Sequence, residues 1–352
     1  MFMTDFYIIK ILFLTTLSFV FTMAWTPALT HFLYKYKLCK KIRSDGTTPV
    51  FTKMHEHKTG TPTMGGILVW GTVLVFSLSF FYLPDILPWE IFKNLNFLSR
   101  GETLLPLGAL VATALVGLVD DWYDVRGKGS FGGGGLKVKH RLLIYTAIAL
   151  VGAWWFYAKL GWDLLHIPFL GGFEIGWLYI LIFILVIVAT AFSVNETDGL
   201  DGLAGGTLLI AFGAYGVIAF ALGKYDLAAF CGVVTGALLA FLWFNINPAR
   251  FFMGDTGSMS LGVTLGVIAM LTNTVLILPL IGLIFVIESL SVIIQVFSKK
   301  LRGGKKVFLS SPIHHHFEAK GWSEPKIVMR AWLIAGVSAA AGLVVFLLDK
   351  TF

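Results

Sequence analysis

From Trp177 to Val194 the chain runs for eighteen residues without a charge and then enters Asn195-Glu196-Thr197-Asp198-Gly199-Leu200-Asp201-Gly202. An uncharged run of that length is a membrane-spanning helix, because about 20 helical residues cross the hydrocarbon of a bilayer. Two carboxylates therefore stand at the edge of a span. If the helix continues, Asp198 and Asp201, at i and i+3, share one face; an Asp-Gly turn between two spans is the plainer alternative. A turn alone is a weaker account once Asp120-Asp121 and Asp255 are noticed, since each of these also ends or begins an apolar run.

Further runs of the same kind place spans near 7–33, 66–83, 104–119, 141–159, 176–194, 205–222, 227–244, 259–272, 276–297 and 329–348. Composition agrees: 57% of the 352 residues are hydrophobic and 13% charged, with a mean hydropathy of +0.82, which excludes an ordinary soluble protein. The expected fold is an all-α polytopic membrane protein of about ten transmembrane helices, with residues 1–352 forming one integral-membrane domain. Ten spans put segments 35–65, 120–141, 195–204, 245–258 and 298–330 on one side. All but six of the 27 lysines and arginines lie on that side, the exceptions being Lys10, Lys93, Arg100, Lys159, Lys224 and Lys350. The positive-inside rule then makes that side cytoplasmic and both termini periplasmic. It also accounts for the net charge of +7 and the sequence pI near 9.3 without a nucleic-acid partner. Cys39 and Cys231 fall near opposite faces, so no disulfide is expected. The first apolar run lacks a small-residue cleavage site after it and reads as a retained span.

The sidedness brings all three acidic segments to the cytoplasmic face. Asp120 and Asp121 end the third span, where the helix dipole disfavours carboxylates; a divalent cation or the bases Lys137, Lys139 and Arg141 would compensate them. Asp255 precedes the eighth span, where an N-cap is the simple structural role. With Asp198 and Asp201 these make five carboxylates, a hard oxygen set suited to Mg²⁺, for which Mn²⁺ can substitute, and such ions commonly serve phosphate chemistry. His314-His315-His316 suggests zinc, but adjacent residues do not easily ligate one ion, and one or two histidines contacting phosphate, acyl or sugar is the better reading. Lys58 precedes the rigid turn Gly60-Thr61-Pro62-Thr63-Met64-Gly65-Gly66 into the second span. Glu288 and Gln295, seven residues apart in the ninth span, share a face, and intramembrane polar groups are commonly functional; helix–helix hydrogen bonding is the structural alternative for Gln295. The glycines of Phe131–Gly135 lack the pattern of a nucleotide-binding loop and read as a connector, and no ATP-binding motif occurs.

At these residues the chain resembles the phospho-N-acetylmuramoyl-pentapeptide transferases, within the polyprenyl-phosphate N-acetylhexosamine-1-phosphate transferase superfamily. The resemblance rests on Thr61-Pro-Thr-Met-Gly-Gly66, Asp120-Asp121, Thr197-Asp-Gly-Leu-Asp-Gly-Leu203, Phe252-Met-Gly-Asp-Thr-Gly257 and Pro312-Ile-His-His-His316, followed by Glu324-Pro-Lys-Ile-Val328. It implies ten spans in the bacterial cytoplasmic membrane with the active site on the cytoplasmic face. It also implies transfer of phospho-MurNAc-pentapeptide from UDP-MurNAc-pentapeptide to undecaprenyl phosphate, giving lipid I and UMP with Mg²⁺ in peptidoglycan synthesis. By the same resemblance Asp120, Asp121, Asp255 and His314 are catalytic, with Asp120 as base or nucleophile. Asp255 and Asp198 are the metal ligands. Lys58, Thr63, Lys139, Asn195, Asp198, Asp201, Phe252 and His315 contact substrate, with Phe252 and Asp201 at the uracil. The chain departs from the family pattern at Glu196, where Leu is usual, at Phe192, where Asn is usual, and at Asp124, where Lys often stands.

Two other readings are open on sequence grounds. A relative using another UDP-sugar would carry much of the same pattern, although the Thr-Pro-Thr-Met-Gly-Gly and triple-histidine segments favour the muramoyl branch. A secondary transporter with a midplane site would use Glu288, yet the acidic residues gather in loops rather than at mid-depth. The sequence leaves a homodimer open.

Overall fold

The computed structural model describes residues 2–39, 58–87, 89–127, 136 and 138–351. Lys137 and the Phe131–Gly135 connector lie outside the described residues. The helices are α1 (Phe2–Lys35), α2 (Ile67–Ile86), α3 (Glu90–Leu95), α4 (Leu104–Arg126), α5 (Val138–Trp154), α6 (Leu178–Thr197) and α7 (Leu203–Ala221). They continue with α8 (Tyr225–Asn245), α9 (Asp255–Leu271), α10 (Leu278–Ile281), α11 (Leu283–Leu301), α12 (Ile313–Ala319) and α13 (Glu324–Thr351). Helix α5 runs on through a π-helical turn at Trp155–Lys159.

The chain is an all-α polytopic membrane protein, as its apolar runs require, because a helix satisfies its own backbone where no water can. Among the described residues eight helices, α1, α2, α4 to α8 and α13, are long and apolar enough to cross a membrane. The other two expected spans depart from that pattern for separate reasons. Helix α9 has 17 residues, and every one of them is buried, so it stands inside the bundle and needs no lipid-facing length. Helix α11 carries Glu288, Lys299 and Lys300 within 19 residues, and it is two-sided: Glu288, Gln295 and Ser298 are buried while Leu290, Ile293, Ile294 and Phe297 are exposed.

Burial of α9 follows from its surface. Gly257, Ser258, Ser260, Gly262, Thr264 and Gly266 are small, and small residues let helices approach closely where lipid provides no hydrophobic drive. One close approach is at Gly117 of α4, where a side chain would collide with the backbone of Asp255 and Thr256. Helix α4 accordingly packs most extensively on α9, with α6 also against α9 and α8 between α1 and α7.

The segments assigned to one side do meet at one end of the bundle, through the contacts described below. At the other end, among the described residues, stands one element the apolar pattern does not announce, an antiparallel hairpin of β1 (Leu164–Ile167) and β2 (Gly171–Glu174). It is clipped to the end of α13, where Asp349 meets His166 Nε2 at 2.6 Å and accepts the Phe169 N–H at 2.6 Å. Lys10 belongs to the same end, donating to the Asn96 carbonyl at 2.7 Å and to Asp226 at 3.3 Å. Both cysteines are free.

Candidate active site

Helix α9 begins without a capping side chain of its own, although the first N–H groups of a helix need acceptors. Asp121 supplies them from α4: Oδ1 accepts the Asp255 N–H and Oδ2 the Thr256 N–H, each at 3.0 Å. Thr63 Oγ1 donates to the same carboxylate at 3.3 Å, and Thr256 Oγ1 returns a bond to the Ala114 carbonyl at 2.8 Å. The carboxylate that the C-terminal dipole of α4 disfavours is thus compensated by the N-terminal dipole of α9. Asp121, expected among the catalytic residues, is fully buried and caps α9. Thr63, expected at substrate, likewise holds Asp121.

Relieved of capping, the Asp255 side chain turns the other way. Its Oδ1 accepts from Asn195 Nδ2 at 2.6 Å and its Oδ2 from Arg141 Nη2 at 2.8 Å. Arg141 also places Nε 2.8 Å from Asp120 Oδ2 and donates from Nη1 to Asn195 Oδ1 at 3.0 Å. Asp120 Oδ1 accepts the Leu136 N–H at 2.5 Å. One guanidinium on α5 therefore ties together α4, α6 and α9, a task suited to the rigid fork of Arg. Of the three bases considered for this loop, Arg141 provides the compensation, while Lys139 is exposed at the start of α5.

Asp198 and Asp201 do not share a helical face. Helix α6 stops at Thr197 and the two residues belong to a turn, which sends their carboxylates to different places. Asp198 Oδ2 accepts the Gly254 N–H at 3.2 Å, beside Asp255. Asp201 instead accepts from Lys58 Nζ at 2.7 Å, Asn247 Nδ2 at 3.0 Å and the Ala249 N–H at 3.1 Å. Glu324, opening α13, joins this second cluster through Lys58 Nζ at 2.6 Å and the Asp201 N–H at 2.5 Å. The Lys58 ammonium also lies 5.7 Å from the Phe252 ring centroid.

The three histidines face three different partners. His314 Nδ1 meets Glu288 Oε2 at 2.9 Å, His315 Nδ1 meets Glu318 Oε2 at 2.6 Å, and His316 Nδ1 accepts the Leu309 N–H at 3.1 Å. Burial pushes the His314 pKa down, but the adjacent Glu288 carboxylate more than reverses this and holds it above the ordinary imidazole value. Gln295 accepts the N–H groups of Val307 and Phe308 and donates to the Phe308 carbonyl. The buried polar face of α11 therefore fastens the last loop over the site. Gln295 bonds a loop rather than another helix.

Asp255 and Asp198, flanking Gly254, are hard oxygen donors of the kind Mg²⁺ or Mn²⁺ takes, and no thiolate accompanies them. Among the described residues no three acidic, histidine or cysteine side chains close on one point, and the positive charge between Asp120 and Asp255 is that of Arg141. Sequence reasoning named Arg141 only as a compensating base and left Glu324, Asn247 and Glu318 without a role. Of these, Glu324 had a signal, since it opens one of the motif segments.

A family model described as glycosyl transferase family 4 matches residues 103–273, which include Asp120, Arg141, Asn195 and Asp255. A phospho-N-acetylmuramoyl-pentapeptide-transferase of Chloroflexus aggregans is 40% identical over 346 residues, covering 95% of this chain and 89% of that protein. Proteins of the same name are 41% identical over 329 residues in Geobacillus sp. strain WCH70 (93% and 95% covered) and 40% identical over 339 residues in Shouchella clausii (95% and 96% covered). Similarity that runs nearly end to end, through every helix contributing to the Arg141 bridge, shows that the chain belongs to the phospho-N-acetylmuramoyl-pentapeptide-transferase family of membrane enzymes.

Proposed function

We propose that this chain transfers phospho-MurNAc-pentapeptide from UDP-MurNAc-pentapeptide to undecaprenyl phosphate, forming lipid I and releasing UMP at the cytoplasmic face of the bacterial inner membrane. The observation that carries the reading is the Arg141 bridge between Asp120 and Asp255, at the end of the bundle where the basic loops gather. Two phosphate-bearing substrates, one arriving from the bilayer and one from solvent, can meet only at such an end. Exchange of one phosphoanhydride for another needs no fuel, in keeping with a chain that has no ATP motif.

In this reading Asp120 removes a proton from the lipid phosphate, and Asn195 and Arg141 hold Asp255 in place for the reacting diphosphate. Lys58, Asp201 and Phe252 form the nucleotide end, where a cation, acceptors and a ring face suit a uracil. Asp255 and Asp198 would hold Mg²⁺, which would supply charge to offset the repulsion between the two phosphates. Asp121 and Thr63 act through α9, which they orient.

The test is reaction of the purified protein with undecaprenyl phosphate and a panel of UDP-sugars, following UMP. Release only with the MurNAc-pentapeptide donor, abolished by EDTA and restored by Mg²⁺, is expected. Release with UDP-N-acetylglucosamine instead would move the chain to another substrate, and full turnover in excess EDTA would remove the metal from the reading.

A further inference from the structure

His314 is almost wholly buried at the start of α12. Its Nδ1 faces a carboxylate, Glu288, at 2.9 Å, and its backbone N–H approaches the same oxygen at 3.4 Å. Its Nε2 is buried and has no protein partner. That nitrogen points at Gly199, where a side chain would collide with it; the glycine of the Asp198-Gly199 turn is what leaves it room. A buried polar atom without a partner costs free energy, so this one is held for something that the folded chain does not itself supply.

We propose that Glu288, a residue of α11 outside the acidic cluster, is a positioning residue for phosphoryl transfer: it pins His314 by Nδ1 so that Nε2 is presented beside the Asp198-Gly199 turn to an oxygen of the bound diphosphate. An ionised carboxylate only accepts hydrogen bonds, so pairing with it places a proton on Nδ1 and fixes both ring orientation and tautomer. Nε2 is then the ring atom free to meet substrate. The same carboxylate explains why a costly acidic group is kept on a membrane helix. Its reach to both Nδ1 and the backbone N–H of His314 also fixes the first turn of α12. The raised pKa of His314 agrees with this pairing.

The proposal rests on the phosphotransferase reading, and a double-mutant cycle separates the two. Wild-type protein that releases no UMP from the MurNAc-pentapeptide donor would overturn the underlying reading. Given wild-type turnover, Glu288→Ala should lower kcat by about 10- to 100-fold, as for other groups that orient an imidazole, with KM for the donor little changed. Glu288→Asp should recover part of the loss. In a His314→Ala background the same Glu288→Ala change should cost nothing more, because a residue acting through another has no separate effect. Additive losses, or a Glu288→Ala enzyme with wild-type kcat, would overturn the proposal. A second readout covers a His314→Ala enzyme too slow to assay: ¹⁵N spectra of histidine-labelled protein should show a protonated Nδ1 for His314 that is lost in Glu288→Ala. An unchanged Nδ1 signal would likewise overturn it.

Discussion

The Oδ2 of Asp121 accepts the backbone N–H of Thr256 at 3.0 Å, so an aspartate on α4 caps a helix that begins 134 residues later with the neighbouring bond from Asp255. The adjacent aspartates of α4 consequently have different tasks, since residues next to each other on a helix point about 100° apart. Asp121 faces α9, and Asp120 faces Arg141.

That division predicts opposite behaviour for two conservative changes. Asp121→Asn puts an amide donor where two backbone donors need an acceptor, and should cost about 1–3 kcal/mol of stability together with activity. Asp255→Asn leaves the cap of α9 intact and should abolish turnover with a smaller loss of stability. Melting temperature and UMP release measured on both proteins check this, and a larger melting-temperature drop in Asp255→Asn would contradict the assignment of the cap.

Arg141→Lys keeps the charge but not the fork that reaches Asp120, Asp255 and Asn195 at 2.8 to 3.0 Å. A lysine is a point charge on a flexible stem, so the carboxylates should lose their mutual placement. Misplacement on the ångström scale costs about 10²-fold in rate, and kcat for UMP release should fall by that order while nucleotide binding persists. Near wild-type kcat would show that Arg141 supplies charge alone.

Much of this was legible in the chain. Apolar run lengths give the helices, and the distribution of Lys and Arg correctly groups the loops that meet at the Arg141 end. What sequence could not supply is which partner each polar residue takes. Asp198 and Asp201 look like a helical pair by spacing, but Gly199 and Gly202 allow a turn, and the turn sends one to Gly254 and the other to Lys58. Asp255 looks like a cap because it starts a helix, yet the cap comes from a distant helix that Gly117 lets approach. Glu288 looks like an intramembrane site because an apolar helix carries it, but its partner, His314, is on the short helix α12, 26 residues on. Each of these depends on long-range packing that no local pattern encodes.

Lys58 is the counter-charge for the buried Asp201 and the partly buried Glu324, at 2.7 and 2.6 Å. Lys58→Met should leave both uncompensated, at a cost of about 3–5 kcal/mol, and weaken nucleotide binding. Adding Glu324→Gln removes one of the stranded charges and should restore part of the stability. Melting curves of the single and double variants decide it, and a double variant no more stable than Lys58→Met would mean that the three groups do not share one charge balance.

The His314–Glu288 pair makes stability depend on pH. Because the folded protein raises the His314 pKa, the folded state binds the proton more tightly than the unfolded chain. The contribution is then fully present below the ordinary imidazole pKa, about 6.5, and is lost as pH rises through the elevated folded value. The melting temperature of wild type relative to Glu288→Gln should therefore be highest on the acid side of neutrality and converge with rising pH. A difference independent of pH would mean that the ring is not charged in the pair.

Asp120 bears on whether the lipid phosphate attacks the diphosphate directly or the enzyme forms a covalent intermediate. Its Oδ2 lies 2.8 Å from Arg141 Nε and its Oδ1 accepts the Leu136 N–H at 2.5 Å, so the carboxylate is clamped from both sides. A carboxylate so held can take a proton with little movement, whereas attack on phosphorus would require it to leave the Arg141 ion pair and the Leu136 hydrogen bond and later regain them. A positioned base suffices when the two substrates are held together, and direct attack by the lipid phosphate is expected. Asp120→Asn should lose activity by orders of magnitude and still bind the UDP donor. Rigorously delipidated wild type should neither release UMP nor exchange labelled UMP into the donor, because without lipid there is no acceptor. Lipid-independent exchange that disappears in Asp120→Asn would instead identify Asp120 as the nucleophile.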